Sequence, residues 1–253
     1  MLEKITQACK YLLHNFPGAE PVREYLNSRL TSESQEKFQF GYYPSWDELS
    51  LLTDIVGEST LIKSELIYYK NIEDSLSPRA IPFSHFDNYP LVMPYHDTYG
   101  KVVGLVARTL ISEDDRKIAK IAKYKNTKNN FKKGNYLFGL YENKREIIDR
   151  NQVYIVEGQF DVIKAAERGI KNIVAIGNSN MTTYQFCVIS RYASNINLLL
   201  DNDSAGEKGR KSIANKFGKF ANIQDFYIPE SYKDIDEYLT NCQDENPSFF
   251  AKN

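Results

Sequence analysis

Two stretches decide the reading: VYIVEGQFD, residues 153–161, and INLLLDNDSAGEKG, residues 196–209. In each, a β-rich apolar run stops abruptly in carboxylates and glycine, and a helical pattern follows. The first ends in Glu157, Gly158 and Asp161, the second in Asp201, Asp203 and Gly206. Ile155-Val156 and Leu198-Leu199-Leu200 are apolar at consecutive positions, so both faces of each strand should be covered, as in a parallel sheet. Phe160, Ile163 and Ala166 recur at helical spacing, Gly169 stands where that helix would stop, and Ala205 to Phe217 repeats the pattern. Strands that end in acid at their carboxyl ends build sites in open α/β sheets. Side by side, these two would gather Glu157, Asp201 and Asp203 into one patch, where bare carboxylates cannot all ionise cheaply. Magnesium or manganese removes that conflict, because hard cations take oxygen ligands. A satisfied acidic turn in an ordinary doubly wound domain is the plain alternative.

From residue 151 onward the pattern predicts strand 153–156, helix 160–168, strand 172–176, helix 182–192, strand 196–200, helix 205–217 and strand 223–228. That alternation gives a parallel-rich α/β sheet. Residues 1–45 read as helical: Ile5, Ala8, Leu12 and Leu13 make an amphipathic stripe that Asn15-Phe16-Pro17-Gly18 ends. Pro21 can start a second helix, and Thr31 with Ser34 a short third one. Residues 47–90 read as helical turns, the YYKN stretch at Tyr68 to Asn71, and a proline-containing loop from Pro78 to Pro90. Leu91-Val92-Met93, a turn at Asp97 to Gly100, and Val102 to Thr109 read as a β-hairpin.

Net charge is −1, so the molecule as a whole is no electrostatic magnet for nucleic acid. The charge is uneven, however. Arg116 to Lys133 holds eight Lys and Arg residues and no acid, with Tyr124 and Phe131 interleaved and Tyr136 just beyond. Such a run is usually a solvated face, but cations beside aromatics also suit a single nucleic-acid strand, by phosphate contact and base stacking. Cys9, Cys187 and Cys242 are far apart with no CxxC partner, which points to a reducing compartment, no disulfide framework and no zinc ribbon. The three histidines, His14, His85 and His96, are equally scattered. There is no signal-peptide pattern and no apolar run long enough to span a bilayer.

EGQFD followed some forty residues later by DNDSAG resembles the toprim signature, the metal site shared by bacterial primases, topoisomerases and some nucleases. Glu157 matches its glutamate, Asp201 and Asp203 its DxD pair, and Asp161 the acid that follows the glutamate in primases. Further stretches resemble DnaG-type primase cores. Tyr25, Leu26, Arg29, Leu30, Phe38, Gly41, Tyr42, Pro44 and Trp46 match one segment, although the glycine after the arginine is missing. Arg108 ends a hairpin like the family's. KYKNTKNNFKKGNYLFGL, residues 123–140, matches "KYLNSPET..F.KG..LYGL" at Lys123, Tyr124, Asn126, Phe131, Lys133, Gly134, Leu137, Phe138, Gly139 and Leu140. Its Ser-Pro-Glu-Thr element is absent, so the loop at Thr127 to Asn130 is expected to differ. Asn178, after Gly177, stands where the family has threonine. Asp234 and Asp236 match a final acidic element whose plain alternative is a helix N-terminus with acids in its first turn.

The resemblance implies an α/β (α+β overall) chain, with a basic mixed helix/strand subdomain at 1–148 and a Rossmann-like, parallel-rich toprim metal-binding subdomain at 149–253. It implies an RNA primase core that joins ribonucleotides on single-stranded DNA, with Glu157, Asp201 and Asp203 catalytic. Glu157, Asp161, Asp201, Asp203, Asp234 and Asp236 would bind Mg2+ or Mn2+, and no zinc is expected. Arg108, Lys123, Tyr124, Asn126, Lys133, Gly177 and Asn178 would meet nucleotide or template. The implied partners are the single-stranded DNA template, ribonucleoside triphosphates, and a replicative helicase or separate zinc-binding template-recognition protein. No membrane partner is implied, and the setting is a bacterial or phage-infected cytoplasm. A toprim-type nuclease and a non-catalytic nucleic-acid or helicase-binding factor remain the competing readings.

Overall fold

The computed structural model describes residues 1–72, 79–128, 131–244, 247 and 249–251. The chain forms two compact units. The first comprises Met1–Ser28, Gln39–Tyr95 and Val102–Phe131; the second comprises Arg29–Phe38, His96–Lys101 and Lys132–Asn253. The second unit therefore draws three segments from before residue 149.

In the first unit, α1 (Leu2–Asn15) buries the predicted stripe of Ile5, Ala8, Leu12 and Leu13, and ends before Pro17. Helix α2 (Glu20–Asn27) has Pro21 in its first turn, where the missing N–H costs nothing. Short helix α3 (Ser32–Lys37), which belongs to the second unit, is capped by Thr31, whose hydroxyl accepts from Ser34 N. Residues 1–45 are not all helical: β1 (Gly41–Tyr42) is a strand that pairs with residues 91–92. Helices α4 (Leu49–Val56) and α5 (Glu58–Lys63) follow. Half of the described part of the segment read as a proline loop is a strand. β2 (Ile67–Ile72) and β3 (Arg79–Ser84) form a separate two-stranded antiparallel sheet, with Tyr69 opposite Pro82. A two-stranded sheet consists of edges, and edges tolerate the missing donor of Pro82. Pro78 lies outside the described residues, as do Asn129 and Asn130 of the remodelled loop.

The predicted hairpin is present as β4 (Leu91–His96) and β5 (Val102–Arg108), the central pair of a sheet ordered β1, β4, β5 and β6 (Tyr124–Asn126). Between β5 and β6 lies α6 (Glu113–Ala119), capped by Ser112. The basic block is thus split between a helix and a strand rather than lying on one element.

The second unit is the expected alternation. Helix α7 (Leu140–Arg150) leads into β7 (Gln152–Val156), α8 (Gln159–Glu167), β8 (Ile173–Ala175), α9 (Thr183–Ile189), β9 (Asn195–Leu198), α10 (Ser204–Phe217), β10 (Asn222–Tyr227), α11 (Ile235–Asn241) and β11 (Phe250–Ala251). The sheet runs β11-β10-β9-β7-β8, parallel throughout except for β11. Val153, Ile155, Ile196, Leu198 and Leu200 alternate onto one face, where they pack with Ile147, Phe186, Ile189, Ile213 and Phe217 from the helices. On the other strand face Tyr154 meets Phe226 and Phe249 edge-on. The chain goes from β7 to β8 on one side, then crosses back to place β9 on the other. The order therefore reverses between β7 and β9, and such a switch point opens a crevice at the carboxyl ends of the strands. Among the described residues, no helix is long and apolar enough to cross a membrane.

Candidate active site

Glu157 follows the last residue of β7, and Asp201 stands just beyond β9, so the two flank the switch point. The backbone N–H of Asp201 donates to Glu157 Oε1 at 3.4 Å. Asp203 caps α10, its Oδ1 accepting from Ala205 N at 2.8 Å and Gly206 N at 2.9 Å. Asp161 lies in the first turn of α8 and is buried. Its Oδ2 accepts from Gly158 N at 2.9 Å and its Oδ1 from Asp236 N at 3.0 Å, which joins the first turns of α8 and α11. Asp234 caps α11 by accepting from Glu237 N at 2.9 Å. The helix-cap reading of Asp234 is thus present in the structure, alongside its place near the other acids.

Three further residues hold this arrangement: Asn202 and Arg210, which the sequence reading passed over, and Arg29, which it noted only as a match to a primase segment. Asn202 donates its Nδ2 to Tyr232 O at 2.9 Å, and its backbone N–H to Lys233 O at 2.8 Å, so the turn after β9 grips the loop that carries Asp234. Arg29 pairs with Asp236 and lies over the Phe160 ring at 5.1 Å. Arg210 anchors the strand ends. Asn202 and Arg210 had no local signal beyond residue type, and the motif match at Arg29 did not reveal its partner, because each partner is remote in sequence.

Electrostatics follow from the crowding. Burial, then Glu157, Asp234 and Asp203, push the Asp201 carboxyl up to about 7, with Lys233 opposing. Burial also lifts Glu157, although the Asp201 N–H favours its charged form. Asp161 is held well above the usual carboxylate range, first by burial and then by Asp234 and Asp201. Such a set stays partly protonated unless a cation compensates it. Among the described residues, no group of three or more His, Cys, Asp or Glu side chains is placed to hold a metal ion. The fit to a hard divalent cation rests on the chemistry of the donors. The donors are all carboxylate oxygens, and Mg2+ keeps waters and substrate phosphates in its shell while using one or two carboxylates.

Lys133, Gly177 and Asn178 belong to the same unit as the acids. Lys133 Nζ donates to Gly177 O at 2.6 Å, and Gly177 N donates to Glu157 O at 3.0 Å. Burial lowers the Lys133 pKa. A Cβ on Gly177 would stand 2.9 Å from the Lys133 stem, and φ there is +83°, so glycine suits both the contact and the turn. Asn178 is exposed, and its Oδ1 accepts from Asn180 N at 2.8 Å.

Arg108, Lys123, Tyr124 and Asn126 come together in the first unit, at the β5–β6 edge. Arg108 pairs with Tyr124 in the ladder and donates from Nη1 to its hydroxyl at 2.7 Å. Its guanidinium lies 5.1 Å from the Tyr25 ring and 5.4 Å from that of Tyr124. Lys123 lies over Tyr124, Lys125 over Tyr89 and Lys128 over Tyr68. Backbone O of Asn126 meets His85 Nε2 at 2.7 Å. Lys123, Lys125 and Lys128 of the basic block, with Arg108 beside them, are therefore set on aromatic rings.

Residues 9–144, more than half of the chain, match the family model of the DNA primase catalytic core, N-terminal domain, and residues 154–239 match the Toprim-like model. A DNA primase from Aquifex aeolicus is 29% identical over 239 residues, covering 93% of this chain and 45% of the relative. The chain thus spans less than half the length of that curated relative. The crystal structure of the zinc-binding and RNA polymerase domains of Aquifex aeolicus primase superposes with a TM-score of 0.73 at 27% identity, over 94% of this chain and 58% of that one. The RNA polymerase domain of Mycobacterium tuberculosis primase DnaG, in complex with a double-stranded DNA oligomer with a 6-nucleotide overhang, has the same fold, with a TM-score of 0.74 at 23% identity, over 95% of this chain and 77% of that one. With its family match over more than half the sequence and its toprim sheet carrying acids at the switch point, the chain belongs to the DNA primase catalytic-core family.

Proposed function

We propose that this chain synthesises short RNA primers on single-stranded DNA by metal-dependent nucleotidyl transfer. The observation that carries the reading is the Glu157–Asp201 pair at the switch point, with the Asp201 carboxyl raised by burial and then by its acidic neighbours. In the reaction, the 3′-hydroxyl of one nucleotide attacks the α-phosphate of the next. A P–O bond forms, the hydroxyl gives its proton to solvent water, the α–β phosphoanhydride breaks, and pyrophosphate leaves with the electron pair. Divalent cations supply activation of the α-phosphate and neutralise the leaving pyrophosphate. Glu157, Asp201 and Asp203 are the catalytic carboxylates that hold Mg2+ or Mn2+. Asp161, Asp234 and Asp236 complete the acidic set, with Asp161 and Asp236 serving chiefly to fix the first turns of α8 and α11. Lys133, beside Gly177 and Asn178, meets triphosphate oxygens as a point charge. Arg108, Lys123, Tyr124 and Asn126 hold the template or the incoming nucleotide, where a fork of N–H donors suits phosphate. A replicative helicase and a separate zinc-binding, template-recognising protein are the proposed partners, in a bacterial or phage-infected cytoplasm.

A primer-synthesis assay tests this, with single-stranded DNA, labelled ribonucleotides and Mg2+ or Mn2+, and with Glu157→Gln and Asp201→Asn beside the parent. Short metal-dependent oligoribonucleotides, lost in both variants, are expected. Metal-dependent cutting of the template without synthesis would replace the reading by a nuclease. If neither occurs when a helicase is added, a binding factor is the better description.

A further inference from the structure

The ladder between β9 and β10 ends at Leu198 and Asp225. Beyond it the strands diverge: β9 turns into the acidic loop, while β10 continues to pair with β11, Phe226 opposite Ala251. Backbone carbonyls at such a fork lose their ladder partners, and a buried carbonyl without a donor is costly. Here one side chain serves both strands. Arg210, from α10, is 1% exposed. Its Nη1 donates to Leu198 O at 2.7 Å and to Phe226 O at 2.8 Å, and its Nη2 donates to Leu200 O. The guanidinium lies 4.1 Å from the Tyr227 ring, and its Nε faces Glu207 Oε1 at 3.6 Å.

Burying a guanidinium is expensive, and an apolar side chain of similar volume would fill the same space more cheaply. What an apolar residue could not do is hold Leu200 O, one residue before Asp201. The same helix meets this turn closely at Gly206, where a Cβ would stand 2.1 Å from Asp201 O. Gly209 instead meets the loop after β8, where a Cβ would stand 2.1 Å from Ser179 O. The arginine fork, Gly206 and the Asp203 cap thus fix α10 against the turn that presents Asp201.

We propose that Arg210 is a positioning residue of the acidic cluster, setting its affinity for divalent cation by fixing the end of β9 through Leu200 O and without touching the cation. The inference rests on the proposal that these acids bind metal. Groups that orient ligands from behind typically change metal affinity by about 10–100-fold when removed.

The test measures Mn2+ binding by electron paramagnetic resonance on the full chain, at a temperature where circular dichroism shows each protein folded. It compares the parent with Arg210→Met and Arg210→Lys. Arg210→Met fills the space without donating, and is expected to weaken Mn2+ binding by about tenfold or more. Arg210→Lys keeps the charge but cannot reach all three carbonyls, and is expected to lie between Met and parent. A role in packing alone would lower the melting temperature and leave the Mn2+ affinity of the folded protein unchanged. Parental affinity in folded Arg210→Met therefore overturns the inference alone. If that variant does not fold, Arg210→Lys decides: weakened binding supports the inference and parental binding overturns it. A parent chain that binds no Mn2+ overturns the metal reading of the acids and this inference with it.

Discussion

Asp201 N donates to Glu157 Oε1 across the two strands between which the sheet order reverses. The hydrogen bond brings the two acids together at the end of a parallel sheet, and their charges then oppose each other. Removing one charge relieves the other, so Asp201→Asn is expected to raise the metal-free melting temperature near neutral to mildly alkaline pH. The gain should be about 1 kcal/mol after allowance for solvent screening, or roughly 2–4 °C. Differential scanning fluorimetry with a chelator present checks this. A melting temperature below that of the parent would mean that the carboxylate, not merely its geometry, stabilises the metal-free fold.

The same crowding gives a pH dependence whose sign is fixed. Folded Asp201 keeps its proton up to about 7, whereas the unfolded side chain releases it near its ordinary value of 3.8. Between those values the folded state binds more protons, so metal-free stability falls as pH rises through this window. A cation must displace the proton, so metal affinity rises over the same range, by up to about tenfold per pH unit for one proton. Calorimetric Mn2+ titrations below and above pH 7 should show this rise, and Asp201→Asn should flatten it.

Arg29 tests the support behind the cluster. It pairs with Asp236, lies over Phe160, and its carbonyl accepts from Lys164 Nζ. Arg29→Ala would leave Asp236 among like charges and strip a cation from an aromatic face. A loss of about 2 kcal/mol in urea denaturation is expected. A loss indistinguishable from zero would place the pair with ordinary surface ion pairs.

Much of the second unit was legible because its signals are local. An apolar run ending in Glu157 or Asp201 announces a buried strand, and Gly169 and Asp203 mark where helices stop and start. The DxD spacing and its glycine placed the acids at strand ends, where the structure has them. What escaped depends on contacts remote in sequence. The prolines between 78 and 90 argued for a loop, but among the described residues β3 pairs with β2 alone, so no neighbour on its other side needs a donor from Pro82. Gly41-Tyr42 is too short to show an alternation, and it is a strand because residues 91–92 pair with it. Asn202 and Arg210 read as ordinary polar residues, and their roles arise from carbonyls that only the folded strand ends present. The segment Arg29–Phe38 groups with the second unit through Thr31–Glu167, Lys164–Arg29 and Arg29–Asp236, which no periodicity encodes.

Gly206 shows how a short motif can be read as geometry. It lies in the first turn of α10, where Asp203 accepts its N–H, and an added Cβ would fall 2.1 Å from the Asp201 carbonyl oxygen. That neighbour is backbone, so the turn itself must move. Gly206→Ala is therefore expected to be destabilising by about 1–3 kcal/mol and to weaken Mn2+ binding as well. Gly169→Ala is a useful control: it is strained by φ +81° but meets nothing within 4 Å, so it should cost stability without changing metal affinity. Equal metal affinity in parent and Gly206→Ala would show that the turn relaxes without displacing Asp201.

The strip of cations on aromatic rings in the first unit separates charge from stacking. Arg108 is held by the Tyr124 hydroxyl and by the faces of Tyr25 and Tyr124, so its guanidinium is fixed before any strand arrives. A fixed cation that contacts one phosphate releases one counterion, so Arg108→Gln should lower the slope of log affinity against log salt by about 0.7 for a single strand. Tyr124→Ala keeps the charge but removes a ring. If a base stacks there, affinity should fall by roughly 1–3 kcal/mol at every salt concentration, with little change in slope. Fluorescence anisotropy with a labelled single-stranded oligonucleotide, titrated at several salt concentrations, measures both terms. A slope unchanged in Arg108→Gln would remove Arg108 from the phosphate contacts. A slope that falls equally in Tyr124→Ala would mean that the ring acts by holding Arg108 rather than by stacking.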